Sequence, residues 1–204
     1  HTSKELRECY RRAAERFGWA RRDPPPRSMR SGNQLIGWGM ATGKWEATQV
    51  PPSARAVLTS DGRFIVSSAV SDIGTGTLTI MTQIAAESLR APIERVTFEL
   101  ADSRLPTAPV EGGSFVASSV GNAVKAVCDK LRTTILRAAT GIKDSPLAGL
   151  SPDDAEFSDG RIRSRSNPSV AVELETMMRQ LGREEIEESV QNAPAKDVEK
   201  DARY

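Results

Sequence analysis

Two stretches of the chain hold residue types that could handle a ligand. The first is Ser71-Asp72-Ile73-Gly74-Thr75-Gly76-Thr77-Leu78-Thr79, which follows an alternating apolar run and opens a stretch of helical period. Glycines let a backbone approach a ligand closely, and the N–H groups of a helix start favour an anion such as a phosphate or pyrophosphate. The hydroxyls of Thr75, Thr77 and Thr79 add donors. The pattern is not a dinucleotide fingerprint, because Leu78 and Thr79 stand where a third glycine is needed, and there is no lysine for a phosphate loop. A plain glycine turn with capping threonines accounts for the same residues structurally. The second stretch, Glu111-Gly112-Gly113-Ser114-Phe115-Val116-Ala117-Ser118-Ser119, also precedes a helical pattern and is also rich in small and hydroxylic residues. Its structural reading is a helix cap behind a flexible loop. Taken together, two such junctions suit a flat, polar, multi-ring cofactor held by main-chain groups.

The usual catalytic sets are missing. The single histidine is His1, so no Ser-His-Asp or Cys-His arrangement is internal to this sequence. Cys9 and Cys128 are too few for a disulfide framework and poor candidates for zinc, and both read as small buried residues. Lysine plus arginine number 28 against 27 aspartate plus glutamate, a net charge of +1, which leaves no global field to attract nucleic acid. Aromatics at 5% argue against stacking platforms for single strands. Arg21, Arg22, Arg27 and Arg30 surround Pro24-Pro25-Pro26, which reads as a stiff solvated linker. No apolar run is long enough to span a membrane, and no secretory signal region is visible.

With 204 residues and 38% hydrophobic content, the expectation is one core-forming domain with a terminal arm. Residues 2–17 have the period of an amphipathic helix, with Thr2 and Glu5 at capping-box spacing and Gly18 as the stop. The spacing predicts a glycine-rich strand at 35–41, lying close to another backbone. It predicts a hairpin of 54–59 and 63–70 around Ser60-Asp61-Gly62. A helix is expected over about 79–89 with Ile80, Ile84 and Leu89 inward, then a strand at 95–100 and a long loop at 101–117. A second helix follows over about 118–139, capped by Ser118 or Ser119, with Val120, Val124, Val127, Leu131 and Ile135 inward. A smaller hairpin of 155–158 and 161–164 surrounds Asp159-Gly160. Asn167-Pro168 reads as the start of a helix that runs to Gly182, with Met177 and Met178 as core filler. Glu173, Glu175, Glu184, Glu185, Glu187 and Glu188 read as solvated surface. The fold class is α+β: antiparallel hairpins and a mixed sheet packed with two or three long helices. The expected divisions are a helix and Pro/Arg linker (1–30), the α+β domain (31–182) and a charged, frayed tail (183–204).

Asp72-Ile73-Gly74-Thr75-Gly76, then Thr79, Gln83, Ala85-Ala86-Glu87 and Pro92-Ile93-Glu94-Arg95-Val96, resemble the molybdopterin-binding subunit of the xanthine dehydrogenase and aldehyde oxidase family. The resemblance continues, with its spacing kept, through Asp102-Ser103, Pro106, Pro109, Gly112-Gly113-Ser114 and Ala117-Ser118-Ser119-Val120-Gly121-Asn122-Ala123-Val124. It implies a part of a larger molybdenum-cofactor-binding domain, and contacts to the cofactor from Ile73, Gly74, Thr75, Gly76, Gly113, Ser114 and Val116. Relatives often carry glutamine at the position of Thr75, which donates toward a molybdenum ligand; the shorter threonine would reach through a water. They often carry a hydroxyl residue where Val116 stands, so packing is the contact expected there.

The family hydroxylates aldehydes or N-heterocycles with oxygen from water and passes electrons through iron–sulfur clusters to FAD or another acceptor. The resemblance therefore implies a molybdenum–molybdopterin cofactor in its cytosine dinucleotide form, with 2Fe-2S and FAD on partner subunits. The implied partners are the remainder of the molybdenum subunit, the iron–sulfur and FAD subunits, and a small aldehyde or heterocyclic substrate, with no nucleic acid or membrane. The family's catalytic glutamate lies in a late Gly-Glu motif with no counterpart after Asn122, so no catalytic residue and no metal ligand is expected in this chain. The chain reads as an internal piece, inactive alone and prone to self-association. Relatives occur in the cytoplasm, the expected compartment, or after export in the periplasm. The alternative is a non-catalytic α+β binding or assembly module.

Overall fold

A computed structural model describes residues 5–43, 49–151, 153–158 and 160–191. Thr2, Asp159 and residues 192–204 of the expected tail lie outside them. The chain divides into two compact units, residues 1–44 and 45–204, so the division falls well after the expected boundary at 30.

In the first unit, helix α1 (Leu6–Phe17) begins from Glu5 without a side-chain cap. Its polar face carries Glu8 bridging Arg11 and Arg12, each at 2.7 Å. None of its residues is buried, and Phe17 stands edge-on to Trp38 with ring centres 4.9 Å apart. Cys9 is exposed, contrary to the buried placement expected for it. The short strands β1 (Arg30–Ser31) and β2 (Gln34–Leu35) pair with each other. The strand expected at 35–41 stops at Leu35, and a Cβ added at Gly37 or Gly39 would meet nothing within 4 Å beyond its chain neighbours.

The second unit is built on a four-stranded sheet in the order Val96–Glu99 (β5), Phe64–Ser67 (β4), Ser53–Thr59 (β3) and Glu185–Gln191 (β9). β3 (Ser53–Thr59) and β4 (Phe64–Ser67) form the expected hairpin, with Leu58 opposite Phe64 and Ala56 opposite Val66. Gly62 closes the three-residue loop at φ +74°, a conformation that costs a residue with a Cβ about 1–2 kcal/mol. β4 then runs parallel to β5 (Val96–Glu99), with helix α2 (Thr77–Leu89) as the crossover. Helix α3 (Phe115–Thr140) packs on α2 and on β3 and β9, burying the five expected residues from Val120 to Ile135. α2 and α3 approach so closely at Gly121 that an added Cβ would lie 3.1 Å from Ile84 Cδ1. The inward stripe of α2 is Thr77, Met81, Ala85 and Leu89, a row spaced by four; Ile80 and Ile84 flank it and are half-buried.

A three-stranded antiparallel sheet, β6 (Ala155–Ser158), β7 (Arg161–Ser164) and β8 (Ala171–Glu173), follows. The helix expected from Asn167 starts later. Val170 N–H closes a turn on the Asn167 carbonyl, residues 171–173 pair with β7, and helix α4 runs Leu174–Leu181 with Met177 and Met178 fully buried. The frayed tail is also corrected at 185–191. These residues form β9 (Glu185–Gln191), paired along its whole length with β3 and inserting Ile186 opposite Leu58. Its glutamates face cations: Glu187 meets Arg55 at 2.7 Å and Glu188 meets Lys130 at 2.8 Å.

Candidate functional site

The fold brings the two glycine junctions to one place. β4 delivers the chain toward residues 71–76 and α2, and the loop after β5 delivers residues 111–114 and α3. Between them lies a cleft of about 310 Å³, lined by Ile73, Thr75, Thr77 and Ile80 from one side and by residues 111–117 from the other. Five of the seven expected contacts, Ile73, Thr75, Gly113, Ser114 and Val116, therefore share one cavity. Gly74 and Gly76 do not line it; they shape the turn beneath, at φ +98° and +80°. A larger groove of about 760 Å³ runs along α2 and α3, from Ala117 to Arg132, but none of the seven expected residues lines it. The smaller cleft is the candidate, because only there do both junctions converge.

The two helix starts differ electrostatically. At α2 the expected anion seat is already filled by the chain itself. The Asp72 carboxylate accepts N–H bonds from Gly74 at 3.0 Å, Gly76 at 3.2 Å and Leu78 at 3.1 Å. These bonds, that from Leu78 first, hold its carboxyl below the usual aspartate range. A phosphate would find those donors occupied and a negative charge in its place, so the anion reading of this junction is corrected. At α3, among the described residues, no acidic residue lies in the first turn. Glu111, four positions before α3, lines the cleft and accepts the Ser71 N–H at 2.8 Å. Asp72 thus places a carboxylate at the α2 start, whereas the helix dipole at the α3 start favours an anion.

Backbone conformation is unusual at the second junction. Gly113 and Ser114 both have left-handed φ, +55° and +61°. For a serine this costs about 1–2 kcal/mol, and such outliers gather at ligand sites. Ser114, not Ser118 or Ser119, is the cap residue, one turn earlier than the hydroxyl pattern indicated. Ser119 is buried and accepts the Val50 N–H at 3.1 Å. Ile73, Ile80, Phe115 and Val116 give the cleft apolar walls, while Thr75 and Thr77 share a hydroxyl contact at 3.3 Å. Apolar walls with a few directed polar groups fit one part of a planar, phosphate-bearing cofactor.

Sequence reasoning missed Asp72 and Glu111 as organisers of the cleft. An acidic residue two positions before a glycine turn is a signal that could have found Asp72. Nothing local marks Glu111, whose partner lies 40 positions away. The later glutamates are engaged elsewhere: Glu173 meets Arg161 at 2.6 Å, Glu175 meets Arg95 at 2.8 Å, and Glu184 accepts the Ser60 hydroxyl at 3.0 Å. Among the described residues, no group of three or more histidine, cysteine, aspartate or glutamate side chains is placed to hold a metal ion.

A family model described as the molybdopterin cofactor-binding domain matches residues 12–203. The chain is 34% identical over 184 residues to the aldehyde oxidoreductase molybdenum-binding subunit PaoC of Escherichia coli K12, covering 90% of the chain and 24% of that protein. It is 32% identical over 150 residues to the probable hypoxanthine oxidase XdhD of the same strain, covering 70% and 15%. The chain thus spans about a quarter or less of the curated relatives it matches. Its fold is similar to that of CO dehydrogenase from Oligotropha carboxidovorans (TM-score 0.58, 18% identity, 71% of this chain and 18% of that one). It is also similar to quinoline 2-oxidoreductase from Pseudomonas putida 86 (TM-score 0.52, 19% identity, 71% and 19%).

Proposed function

The chain belongs to the molybdopterin cofactor-binding domain family, within the xanthine dehydrogenase and aldehyde oxidase group, and on that premise we propose that it is the part of a molybdenum hydroxylase that seats the cofactor. The convergence of residues 73–77 and 111–117 on one cleft carries this reading. Ile73, Thr75, Gly113, Ser114 and Val116 contact the cofactor, while Gly74 and Gly76 hold the turn that presents Ile73 and Thr75. The α3 start takes the phosphate end, because a helix N-terminus favours an anion and no acidic residue lies in its first turn, and the Asp72-filled α2 loop takes the uncharged ring system. Thr75 reaches through a bridging water. Val116 packs.

When bound, the molybdenum cofactor supplies hydroxylation of an aldehyde or N-heterocycle with oxygen from water. Glu173, Glu175, Glu187 and Glu188 are each paired with a cation, and the general base belongs to the remainder of the molybdenum subunit in this reading. The base, the cytosine dinucleotide form of the cofactor, the 2Fe-2S and FAD partner subunits and a cytoplasmic setting complete the proposal. No helix among the described residues is long and apolar enough to cross a membrane.

The test is Thr75→Trp in the full-length subunit. Thr75 is exposed at the cleft and outside the core, so tryptophan fills the cleft and leaves the fold intact. Molybdenum and pterin per subunit are expected to fall to a small fraction of wild type. Unchanged cofactor content would return the chain to a non-catalytic binding or assembly module.

A further inference from the structure

We propose that Glu111 is the positioning residue of the cleft, a latch that fixes the second glycine loop against the first. The inference rests on the cofactor-seating reading above and adds the residue that holds its two halves in register.

The loop after β5 is stitched to the end of β4 by a series of bonds. Ser68 N–H donates to the Glu99 carbonyl at 3.2 Å, Ala101 N–H to Val70 at 2.7 Å, and Ala69 N–H to Pro106 at 2.7 Å. On its other flank Thr107 accepts the Ser53 N–H at 2.7 Å. The Glu111 carboxylate continues the series by accepting the Ser71 N–H at 2.8 Å. Beyond it the bond from Phe115 N–H to Gly112 is internal to the second loop. Glu111 is thus the tie at the point where the chain passes into Gly112 and Gly113, the most permissive backbone in the region. Its acceptor is a charged oxygen and its donor a main-chain group next to Asp72, the organiser of the first loop. Glu111 also lines the cleft, half-buried between the two loops. Releasing this bond removes the tie between the two loops at the entry to Gly112 and Gly113. The cleft then loses the pre-organisation that makes binding of a rigid ligand favourable.

The experiment compares Glu111→Ala and Glu111→Gln in the full-length subunit assembled with its partners. The readouts are molybdenum and pterin retained after gel filtration, and amide hydrogen exchange at Ser71. A bond to a charged acceptor supports an expected loss of about tenfold in retained cofactor for alanine, with faster exchange at Ser71. Glutamine keeps an amide oxygen that can accept the same N–H, so it is expected to retain cofactor within about threefold of wild type and to keep Ser71 protected. Glu111→Met, similar in length but without a strong acceptor, gives the same comparison should the alanine variant not accumulate. Wild-type retention in the alanine or methionine variant overturns the latch, as does a glutamine variant that behaves like alanine. Thr75→Trp in parallel separates the two ideas. If it empties the site while Glu111→Ala does not, the latch alone fails; if it leaves the site full, the cleft reading fails.

Discussion

At Asp72 one carboxylate does what three separate caps would otherwise do. It gathers the N–H groups of Gly74, Gly76 and Leu78, and those bonds favour its charged form. A group whose folded-state pKa is depressed stabilises the fold fully above its ordinary value of 3.8, and loses that contribution as the pH falls through the lower folded value. Acid unfolding of the wild type is therefore expected to steepen below about pH 4, and Asp72→Asn to flatten that slope, in circular dichroism melts taken from neutral pH downward. An unchanged slope would mean the loop is held by other bonds. The two cysteines give a second residue-scale prediction. Cys128 is buried on α3, and burial pushes its thiol up to about 12, whereas Cys9 lies exposed on α1. A thiol reagent is expected to titrate one cysteine in the native chain and the second only in denaturant. The sequence reading placed both inside because it judged cysteine by residue type, whereas none of the residues of α1 is buried. The same limit applies to the cleft. Residue type and spacing found Ile73, Thr75, Gly113, Ser114 and Val116, but the filled state of the α2 start depends on where Asp72 points, which spacing does not encode.

Elements with their own local code were legible. The β3–β4 hairpin follows from Asp-Gly chemistry between alternating runs, and α3 from an apolar row that continues over 26 residues. β9 was hidden because Glu185, Glu187, Ser189 and Gln191 are exposed and Glu188 stands on the inward face, so only Ile186 and Val190 mark the alternation. Charge of this kind suits an edge strand, which must avoid pairing with other molecules. Its stability comes from Ile186, only 2% exposed and opposite Leu58. Ile186→Ala is expected to cost about 2–4 kcal/mol in urea unfolding, whereas Glu185→Ala on the exposed side changes stability by about 0.5 kcal/mol or less. Equal effects would show that β9 contributes through charge and not through packing. The start of α4 was misplaced for a related reason. Asn167-Pro168 has helix-start chemistry, yet pairing of residues 171–173 with β7 overrides it. A clasp between elements escaped the sequence altogether. Arg95, just before β5, meets Glu175 of α4, with the guanidinium over Gly160 and the carboxylate over Gly62. Both side chains are about one-third exposed, so a double-mutant cycle on Arg95→Ala and Glu175→Ala is expected to give a coupling of about 0.5–1 kcal/mol.

On the scale of the whole molecule, the absence of an internal histidine or paired catalytic carboxylates first weighed against an enzyme. Membership of the cofactor-binding family changes what that absence means. A chain that spans 24% of a relative's length can hold part of a cofactor seat while the reacting groups stand elsewhere. Ile73, Leu78, Ile93 and Val110 of the second unit are 66%, 48%, 46% and 72% exposed. Ile73 lines the cleft and Leu78 opens the first turn of α2, so two of the four sit where the remainder of a cofactor pocket would close. Exposed aliphatic surface of this kind drives association when its natural cover is missing. The 204-residue chain on its own is therefore expected to self-associate, with a light-scattering mass that rises above 22.1 kDa as concentration increases. Ile73→Ser with Val110→Ser is expected to restore the monomer, because both side chains are exposed and their loss leaves the core untouched. A single species of 22.1 kDa at every concentration would show that these residues are tolerated as ordinary surface. In that case the open cleft reflects the shape of this domain itself and not a missing cover.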